Sequence, residues 1–258
     1  MKKRLALLTA IVAAPLLGMT PQEELDDPQE VLAIFAHPDD ELFVAPALAR
    51  AAREGHKVTL VLATSGDQGP GVSDLEPGEE LAAARRGEAR CSAGALGLAG
   101  AVFLEHGDGT LTAKPRDARS PARRLTANIA AIIADEQPDI VVTFGPDGGY
   151  GHGDHRMVSA LVTQVVQAMD TNRPALLYPG IRKGTLPPIA QMRDWAETAP
   201  ELLTVAYRYG DEDLAAARAA AQCHATQFDA ATRAQVADLF HATIWGGAVH
   251  FRPALPGG

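Results

Sequence analysis

The chain has 258 residues, of which 47% are hydrophobic and 21% charged, and its formal net charge is −9. These values fit one globular domain and exclude a disordered or fibrous chain. The acidic balance also excludes a surface that binds a nucleic-acid backbone, because such surfaces need clustered Lys and Arg. A small anionic substrate held by local arginines stays open.

Residues 1–19 predict an export signal or an N-terminal anchor. The positive start Met1-Lys2-Lys3-Arg4 precedes an apolar stretch over 5–17. That stretch holds roughly a dozen apolar residues, whereas spanning a bilayer takes about 20. Residues 20–29 are polar and acidic and predict a linker. We therefore expect an exported protein, periplasmic or extracellular, that contacts membrane only through this N-terminal segment.

From residue 30 onward, apolar strand-like runs alternate with helical patterns. The predicted strands are 31–36, 58–63, 102–104, 140–144, 176–178 and 203–207, and the predicted helices are 42–54, 79–98, 120–136, 157–169, 211–228 and 231–241. Residues 66–77 are rich in Gly, Pro, Asp and Ser and predict a long loop. Continuous apolar strands between helices indicate a single α/β domain over 30–258, with a mostly parallel sheet and helices on both faces.

Three polar segments follow predicted strands: residues 37–41, 64–67 and 147–155. The carboxyl ends of parallel strands share one edge of the sheet, and ligands bind outside that edge. We therefore expect the three segments to meet in one site.

The first and third segments carry a set of metal-ligating side chains. His37 and His155 each offer an imidazole nitrogen and Asp40 a carboxylate oxygen. Three ligands that leave coordination open are typical of a catalytic zinc, which lowers the pKa of bound water to about 7. Asp39, adjacent to a ligand, is then free to act as a base.

The third segment adds further candidates for catalysis. His152 is predicted to stabilise an oxyanion or to protonate a leaving amine, in a protonated form. Asp154 is predicted to orient an imidazole, a common role around metals. The hydroxyl of Tyr150 would donate to a developing oxyanion.

These motifs resemble those of the PIG-L/LmbE-like family of metal-dependent N-deacetylases. The resemblance covers the chain from about Val31 to Gln227. It is carried by the following segments: Ala36-His37-Pro38-Asp39-Asp40-Glu41, Thr64-Ser65-Gly66-Asp67, Arg85-Arg86-Gly87-Glu88, Leu96-Gly97, Gly107-Asp108-Gly109, His152-Gly153-Asp154-His155 and His224-Ala225-Thr226-Gln227.

The resemblance implies a Rossmann-like fold, zinc as the usual metal and removal of acetyl groups from sugars of the N-acetylglucosamine type. Fe²⁺ would suit the same ligands. The resemblance implies that His37, Asp40 and His155 are the metal ligands and that Asp39 is the base. It also implies that His152 is the electrophilic group, with Tyr150 assisting. Arg85 and Asp108 match positions that contact the sugar. The family often has Pro where Gly153 stands, so Gly loosens the turn that aims His152.

Simpler interpretations exist for several of these residues. Asp39 is also a favourable helix N-cap, and Glu41 a first-turn acid stabilised by the helix dipole. Arg85 would equally fit a solvated helix face, and Gly107-Asp108-Gly109 a plain turn. His224 receives no role from the sequence. The two cysteines, Cys91 and Cys223, are either paired or free.

Three functions therefore compete. The first is a zinc-dependent N-deacetylase that acts on a small amino sugar or glycoconjugate. The second is a non-haem iron oxygenase, because two His and one carboxylate also form the facial triad of those enzymes. The third is an exported glycan-binding protein with an inactive site. The oligomeric state is not readable from the sequence.

Overall fold

The apolar run at residues 31–35 forms the central strand of the sheet in a computed structural model, which describes residues 29–255. The predicted N-terminal signal and, apart from Gln29, the predicted linker lie outside the described residues. The strands are β1 (Glu30–Phe35), β2 (Lys57–Thr64), β3 (Gly100–His106), β4 (Ile140–Val142), β5 (Ala175–Pro179), β6 (Ile181–Arg182), β7 (Glu197–Thr198), β8 (Val205–Arg208) and β9 (Ala248–Pro253). The α-helices are α1 (Ala45–Arg53), α2 (Glu79–Ala95), α3 (Pro121–Glu136), α4 (Gly153–Gln167), α5 (Asp211–Cys223) and α6 (Ala230–Phe240). Across residues 29–255, no helix has both the length and the apolar character needed to cross a bilayer.

The main sheet has seven strands in the order β3-β2-β1-β4-β5-β9-β8. The first five are parallel, and β9 runs antiparallel to both of its neighbours. The prediction of a mostly parallel sheet is confirmed. The antiparallel strand β9 was not predicted, since Gly246-Gly247 before it and Pro253 at its end weaken its strand pattern.

Helices cover both faces of the sheet, as predicted. In β1, Val31, Ala33 and Phe35 face a core built with α1, α2, α5 and α6. The alternate residues Leu32 and Ile34 face a second core built with α3 and α4. Burial on both faces explains why this strand reads as an unbroken apolar run.

Two helix bounds differ from prediction in ways that affect the site. Helix α4 begins at Gly153 and not at Met157, because His152 caps its first turn, and His155 therefore lies on the helix. Helix α5 ends at Cys223 and not at Phe228. There Cys223 forms a disulfide with Cys91 of α2, which resolves the alternative left open by the sequence.

The strand order reverses direction at β1, which has β2 on one side and β4 on the other. The chains leaving β1 and β4 diverge at such a point and open a crevice at the carboxyl edge of the sheet. The predicted meeting of residues 37–41 and 147–155 is confirmed there, because His37 contacts His155.

Candidate metal and catalytic site

Asp40 folds back onto the end of β1, where its carboxylate is fixed by backbone donors. Its Oδ2 accepts hydrogen bonds from the amides of Ala36 (3.1 Å) and His37 (2.9 Å). Its Oδ1 lies 3.0 Å from His155 Nε2. Although burial opposes ionisation, His155 and His37 lower the pKa of Asp40 to about 2. This carboxylate is therefore held ionised, with one oxygen aimed into the crevice.

His155 has a defined tautomer. Its Nδ1 lies 3.1 Å from the carbonyl oxygen of Gly148, which only accepts hydrogen bonds, so Nδ1 carries the proton. Phe144 stacks on the imidazole ring with an interplanar angle of 7°. In the neutral ring the lone pair of Nε2 consequently points at Asp40 and, 3.1 Å away, at His37 Nδ1.

The three predicted metal ligands, His37, Asp40 and His155, thus direct electron-rich atoms at one point. His155 Nε2 lies 3.1 Å from His37 Nδ1 and 3.0 Å from Asp40 Oδ1, and the other Asp40 oxygen, Oδ2, lies 3.7 Å from His37 Nδ1. Without a metal, protons on the imidazoles can bridge these atoms, and a dication that displaces those protons would bind the same atoms. Donors of a tetrahedral zinc, each about 2.1 Å from the ion, are separated by about 3.4 Å. This donor set therefore fits a small dication.

The opposite edge of the His37 ring faces two carboxylates. His37 Nε2 lies 3.0 Å from Asp108 Oδ1 and 3.6 Å from Asp154 Oδ2. Burial lowers the pKa of His37, but Asp108, Asp154 and Asp40 outweigh it and raise that pKa to about 10. Without a metal this favours the imidazolium, in which both ring nitrogens carry protons. A metal that binds Nδ1 would displace the proton there, while the Nε2 proton stays with Asp108.

Asp154 and Asp108 face His37 and also accept hydrogen bonds from backbone amides of nearby loops. Asp154 accepts hydrogen bonds from the amides of Gly109 (2.8 Å) and Leu111 (3.3 Å). Asp108 Oδ2 accepts from the amide of Gln68 at 3.2 Å. The imidazole nearest the Asp154 carboxylate is that of His37. The predicted contact of Asp108 with a sugar stays a prediction.

Asp39 lies between the metal ligands and Arg85 and has an unusual backbone conformation. Its φ is +96°, in the left-handed region that non-glycine residues seldom adopt. Arg85 Nη2 lies 3.5 Å from its carboxylate. Burial raises the pKa of Asp39 to about 6, with Arg85 opposing that rise and Asp40 adding to it. Asp39 is therefore ionised at neutral pH yet basic enough to accept a proton.

Arg85, predicted to contact substrate, is buried and bonded to the protein. It donates to the carbonyl oxygens of Pro38 (2.7 Å), Gly66 (3.0 Å) and Gly69 (3.4 Å). Gly66 has φ +66°, and a Cβ there would lie 2.1 Å from Arg85 Nη1. The guanidinium thus joins the loop after β1 to the loop after β2. Its predicted role at the sugar stays a prediction.

His152 caps helix α4 through its side chain. Its Nδ1 accepts the backbone N–H of Asp154 at 3.2 Å, so the neutral ring carries its proton on Nε2. Burial, together with His37 and His155, lowers the pKa of His152. The ring centroids of His152 and His37 are 4.7 Å apart. This geometry favours a neutral N–H donor over the protonated imidazole that the sequence analysis had considered.

Tyr150 stands beside these imidazoles and is 45% exposed. Its ring meets His155 edge-on, with centroids 4.9 Å apart, and Trp195 at 5.6 Å and 30°. The amide of Ala196 donates to Gly149 O at 2.8 Å and so ties the Trp195 segment to the Tyr150 loop. Burial and the nearby carboxylates raise the pKa of the phenol, which therefore keeps its proton.

Glu41 and His224 form a buried pair beside this site that was not predicted from the sequence. Both side chains are fully buried, and Glu41 Oε1 lies 2.6 Å from His224 Nε2. Burial opposes both charges, yet each residue stabilises the other, so the pKa of Glu41 is lowered and that of His224 raised. The signal was available in the segment His224-Ala225-Thr226-Gln227, which was noted without a role.

The rest of that segment holds the loop after β2. Thr226 donates its amide and hydroxyl to the carboxylate of Glu88, both at 2.7 Å. Gln227 Nε2 donates to Gly69 O at 2.8 Å. A cleft of about 510 Å³ lies beside the loop after β2, and its lining includes Asp67, Arg86 and His106.

Comparison with known proteins places these motifs in a family. A family model described as PIG-L: GlcNAc-PI de-N-acetylase matches residues 32–166, which include every predicted site residue. A 1D-myo-inositol 2-acetamido-2-deoxy-alpha-D-glucopyranoside deacetylase of Kineococcus radiotolerans is 36% identical over 171 residues, covering 57% of this chain and 47% of that protein. The chain spans about half the length of the curated relatives that it matches first.

Two solved structures share the fold. The N,N'-diacetylchitobiose deacetylase of Pyrococcus horikoshii has a TM-score of 0.63 and 21% identity, covering 92% of this chain and 87% of that chain. The 4-carboxy-2-hydroxymuconate hydratase of Pseudomonas putida has a TM-score of 0.63 and 17% identity, covering 89% and 98%. On the strength of the family match, this chain belongs to the PIG-L (GlcNAc-PI de-N-acetylase) family.

Proposed function

We propose that this protein is a metal-dependent hydrolase that removes the acetyl group from an N-acetylated amino sugar or glycoconjugate. The observation that carries the proposal is the contact of His155 Nε2 with His37 Nδ1 at 3.1 Å and, at 3.0 Å, with Oδ1 of Asp40, which directly follows Asp39 in the chain. Bound there, Zn²⁺ or Fe²⁺ would supply a Lewis acid that makes water nucleophilic at neutral pH and polarises the acetamide carbonyl.

Asp39 is the proposed proton carrier of the reaction. With a pKa raised to about 6, it accepts a proton from the attacking water as the water oxygen bonds to the acetamide carbon. The proton then passes to the departing nitrogen as the C–N bond breaks. The products are acetate and the free amine, so the step balances without another reactant.

His152 and Tyr150 are the proposed donors to the oxygen that gains negative charge. His152 offers Nε2–H from the start of α4, because its Nδ1 is already occupied by the backbone N–H of Asp154. Tyr150 keeps its phenolic proton because its pKa is raised. Fixed donors at such an oxyanion are each worth about 10²–10³ in rate.

The substrate class is supported by the relatives. The names of the Kineococcus and Pyrococcus proteins both specify an N-acetylated glucosamine unit. The hydratase among the structural neighbours cautions that the fold itself serves other chemistry, so the argument rests on the side chains. The parallel sheet disfavours the iron-oxygenase alternative, which usually occupies antiparallel folds.

We also propose that the protein is exported. The predicted signal supports this location, and so does the Cys91–Cys223 disulfide, because disulfides persist in oxidising compartments.

The decisive experiment is acetate release. The protein is purified, its metal content is measured, and it is incubated without oxygen with a panel of N-acetylated glycosides. The proposal requires acetate release that a chelator abolishes and added Zn²⁺ or Fe²⁺ restores. Oxygen consumption with a 2-oxo acid would instead support the oxygenase, and sugar binding without acetate would support an inactive glycan-binding protein.

A further inference from the structure

We propose that Glu41 is a positioning residue that holds Asp39 in place for the reaction, and that the Cys91–Cys223 disulfide staples the two helices that grip Glu41. This inference rests on the proposed function, in which Asp39 carries the proton. It concerns residues that do not themselves face the point where the ligand atoms meet.

Glu41 is fully buried, and hydrogen-bond donors occupy its carboxylate from both sides. Oε1 accepts from Ser92 Oγ and from His224 Nε2, each at 2.6 Å. Oε2 accepts the backbone N–H of Asp39 at 3.0 Å. The carboxylate therefore bridges two helices on one side to the backbone of Asp39 on the other.

The hydrogen bond from the Asp39 amide to Glu41 stabilises an unfavourable backbone conformation of Asp39. Asp39 has φ +96° without being glycine, and such a conformation persists only where the surroundings hold it. Glu41 supplies a charge-assisted acceptor for the amide in that conformation. Without it, we expect Asp39 to relax and its carboxylate to leave its place beside Asp40.

The disulfide lies next to both donors that grip Glu41. Cys91 precedes Ser92 on α2, and Cys223 precedes His224 at the end of α5. The two Cα atoms are 5.7 Å apart, although 132 positions separate the cysteines along the chain. Cys91 is exposed, so a reductant in solution reaches the bond. The disulfide therefore fixes the distance between Ser92 and His224, although neither cysteine is part of the site.

The first test replaces Glu41 with glutamine, a change of charge with little change of shape. Glutamine has a single acceptor oxygen. Because Ser92 and His224 both donate to one atom, that oxygen stays with them, the NH2 group faces the Asp39 amide, and the bond to Asp39 is lost. We expect E41Q to lower kcat about 10- to 100-fold, with KM and bound metal unchanged, as expected for a misplaced catalytic group. In a crystal structure of E41Q, Asp39 should leave positive φ.

The matched control is Asp213→Asn. Asp213 is equally buried, lies on α5, and pairs with Arg53 at 2.8 Å while accepting the amide of Gly210. The D213N variant loses a buried carboxylate that does not contact Asp39. Both variants should melt at a lower temperature, but D213N should keep kcat within about twofold. Equal losses of kcat in the two variants, or an Asp39 that keeps positive φ in E41Q, would overturn the positioning role. If E41Q is insoluble, Ser92→Ala removes a single bond of the same grip and should give a smaller fall in kcat with KM unchanged.

The second test opens the staple with a water-soluble phosphine. The phosphine is oxidised to its oxide with oxygen from water, and the S–S bond is reduced to two thiols. We expect kcat to fall about two- to fivefold with KM unchanged, and reoxidation to restore it. The Cys91→Ser/Cys223→Ser double variant should start at the reduced level and ignore the phosphine, which separates staple opening from any effect on bound metal.

An unchanged kcat after complete thiol formation would overturn the staple. If the wild type releases no acetate from any glycoside, the proposed function fails instead. The conformation of Asp39 in E41Q still decides in that case whether Glu41 positions it.

Discussion

Asp40 and Glu41 are adjacent in sequence and both buried, yet different groups surround their carboxylates and give them different roles. Donors meet both oxygens of Glu41: the Ser92 hydroxyl, the His224 imidazole and the Asp39 amide. The Oδ1 of Asp40 instead meets Nε2 of His155, the nitrogen that carries the lone pair in the neutral ring. A saturated carboxylate holds structure, whereas one that faces lone pairs needs a cation. Burial alone does not distinguish the two.

The largest effect on activity should come from substitution of Asp40, and it should differ from the effect of substituting Glu41. Asp40→Asn removes the charge that balances a dication, so we expect loss of bound metal and a fall in kcat/KM of more than about 10³-fold. Glu41→Gln should keep the metal. Metal content by elemental analysis, beside acetate release, checks both. Retention of full metal by D40N and loss by E41Q would reverse the comparison.

Asp39→Asn should show that metal binding and turnover depend on different carboxylates. The variant keeps the ligand set but cannot accept a proton, and loss of a general base costs about 10²–10⁴ in rate. We expect kcat to fall by that factor while the metal content stays at one ion per chain in the same assay. A D39N enzyme of near-normal rate would remove Asp39 from the mechanism.

The meeting of residues 37–41 with residues 147–155 was predictable, because residues following β1 and β4 of a parallel sheet must share an edge. The pairing of Glu41 with His224 was not, since it joins positions far apart in the chain whose contact depends on how α5 docks. The same limit hid the disulfide and the burial of Arg85. Helix α4 begins four residues before the predicted start at Met157, because the His152 side chain caps its first turn.

A smaller effect is expected at Trp195, which belongs to neither carboxylate cluster. Its half-buried ring lies 5.6 Å from the Tyr150 ring and packs on Phe43 and Phe240, and we propose that its exposed part offers an apolar surface to a sugar ring. We expect Trp195→Ala to raise KM about tenfold, a loss of about 1.4 kcal/mol in binding, with kcat and metal content nearly unchanged. Steady-state kinetics check this. A fall in kcat with KM unchanged would place Trp195 in the positioning network instead.

The smallest effect is expected from Gly153→Pro, which should leave both clusters intact. Gly153 is the first residue of α4, a position that suits proline, and His152 before it has φ −61° and ψ 135°, which proline allows. Within residues 29–255, an added Cβ would meet the Thr112 side chain at 3.7 Å, an ordinary van der Waals contact. We expect about 0.4–1 kcal/mol of stabilisation and a rise in Tm of about 1–4 °C, measured by calorimetry, with activity unchanged. A lower Tm would mean that the turn before α4 needs glycine.

The position of the metal tests the account most directly, because the His37 ring has one carboxylate-lined edge and one ligand-lined edge. Anomalous scattering from a crystal of the metal-loaded protein would locate the ion. We expect a single peak in contact with His37 Nδ1, Asp40 Oδ1 and His155 Nε2. A peak on the other edge of the ring, between His37 Nε2, Asp108 and Asp154, would contradict it.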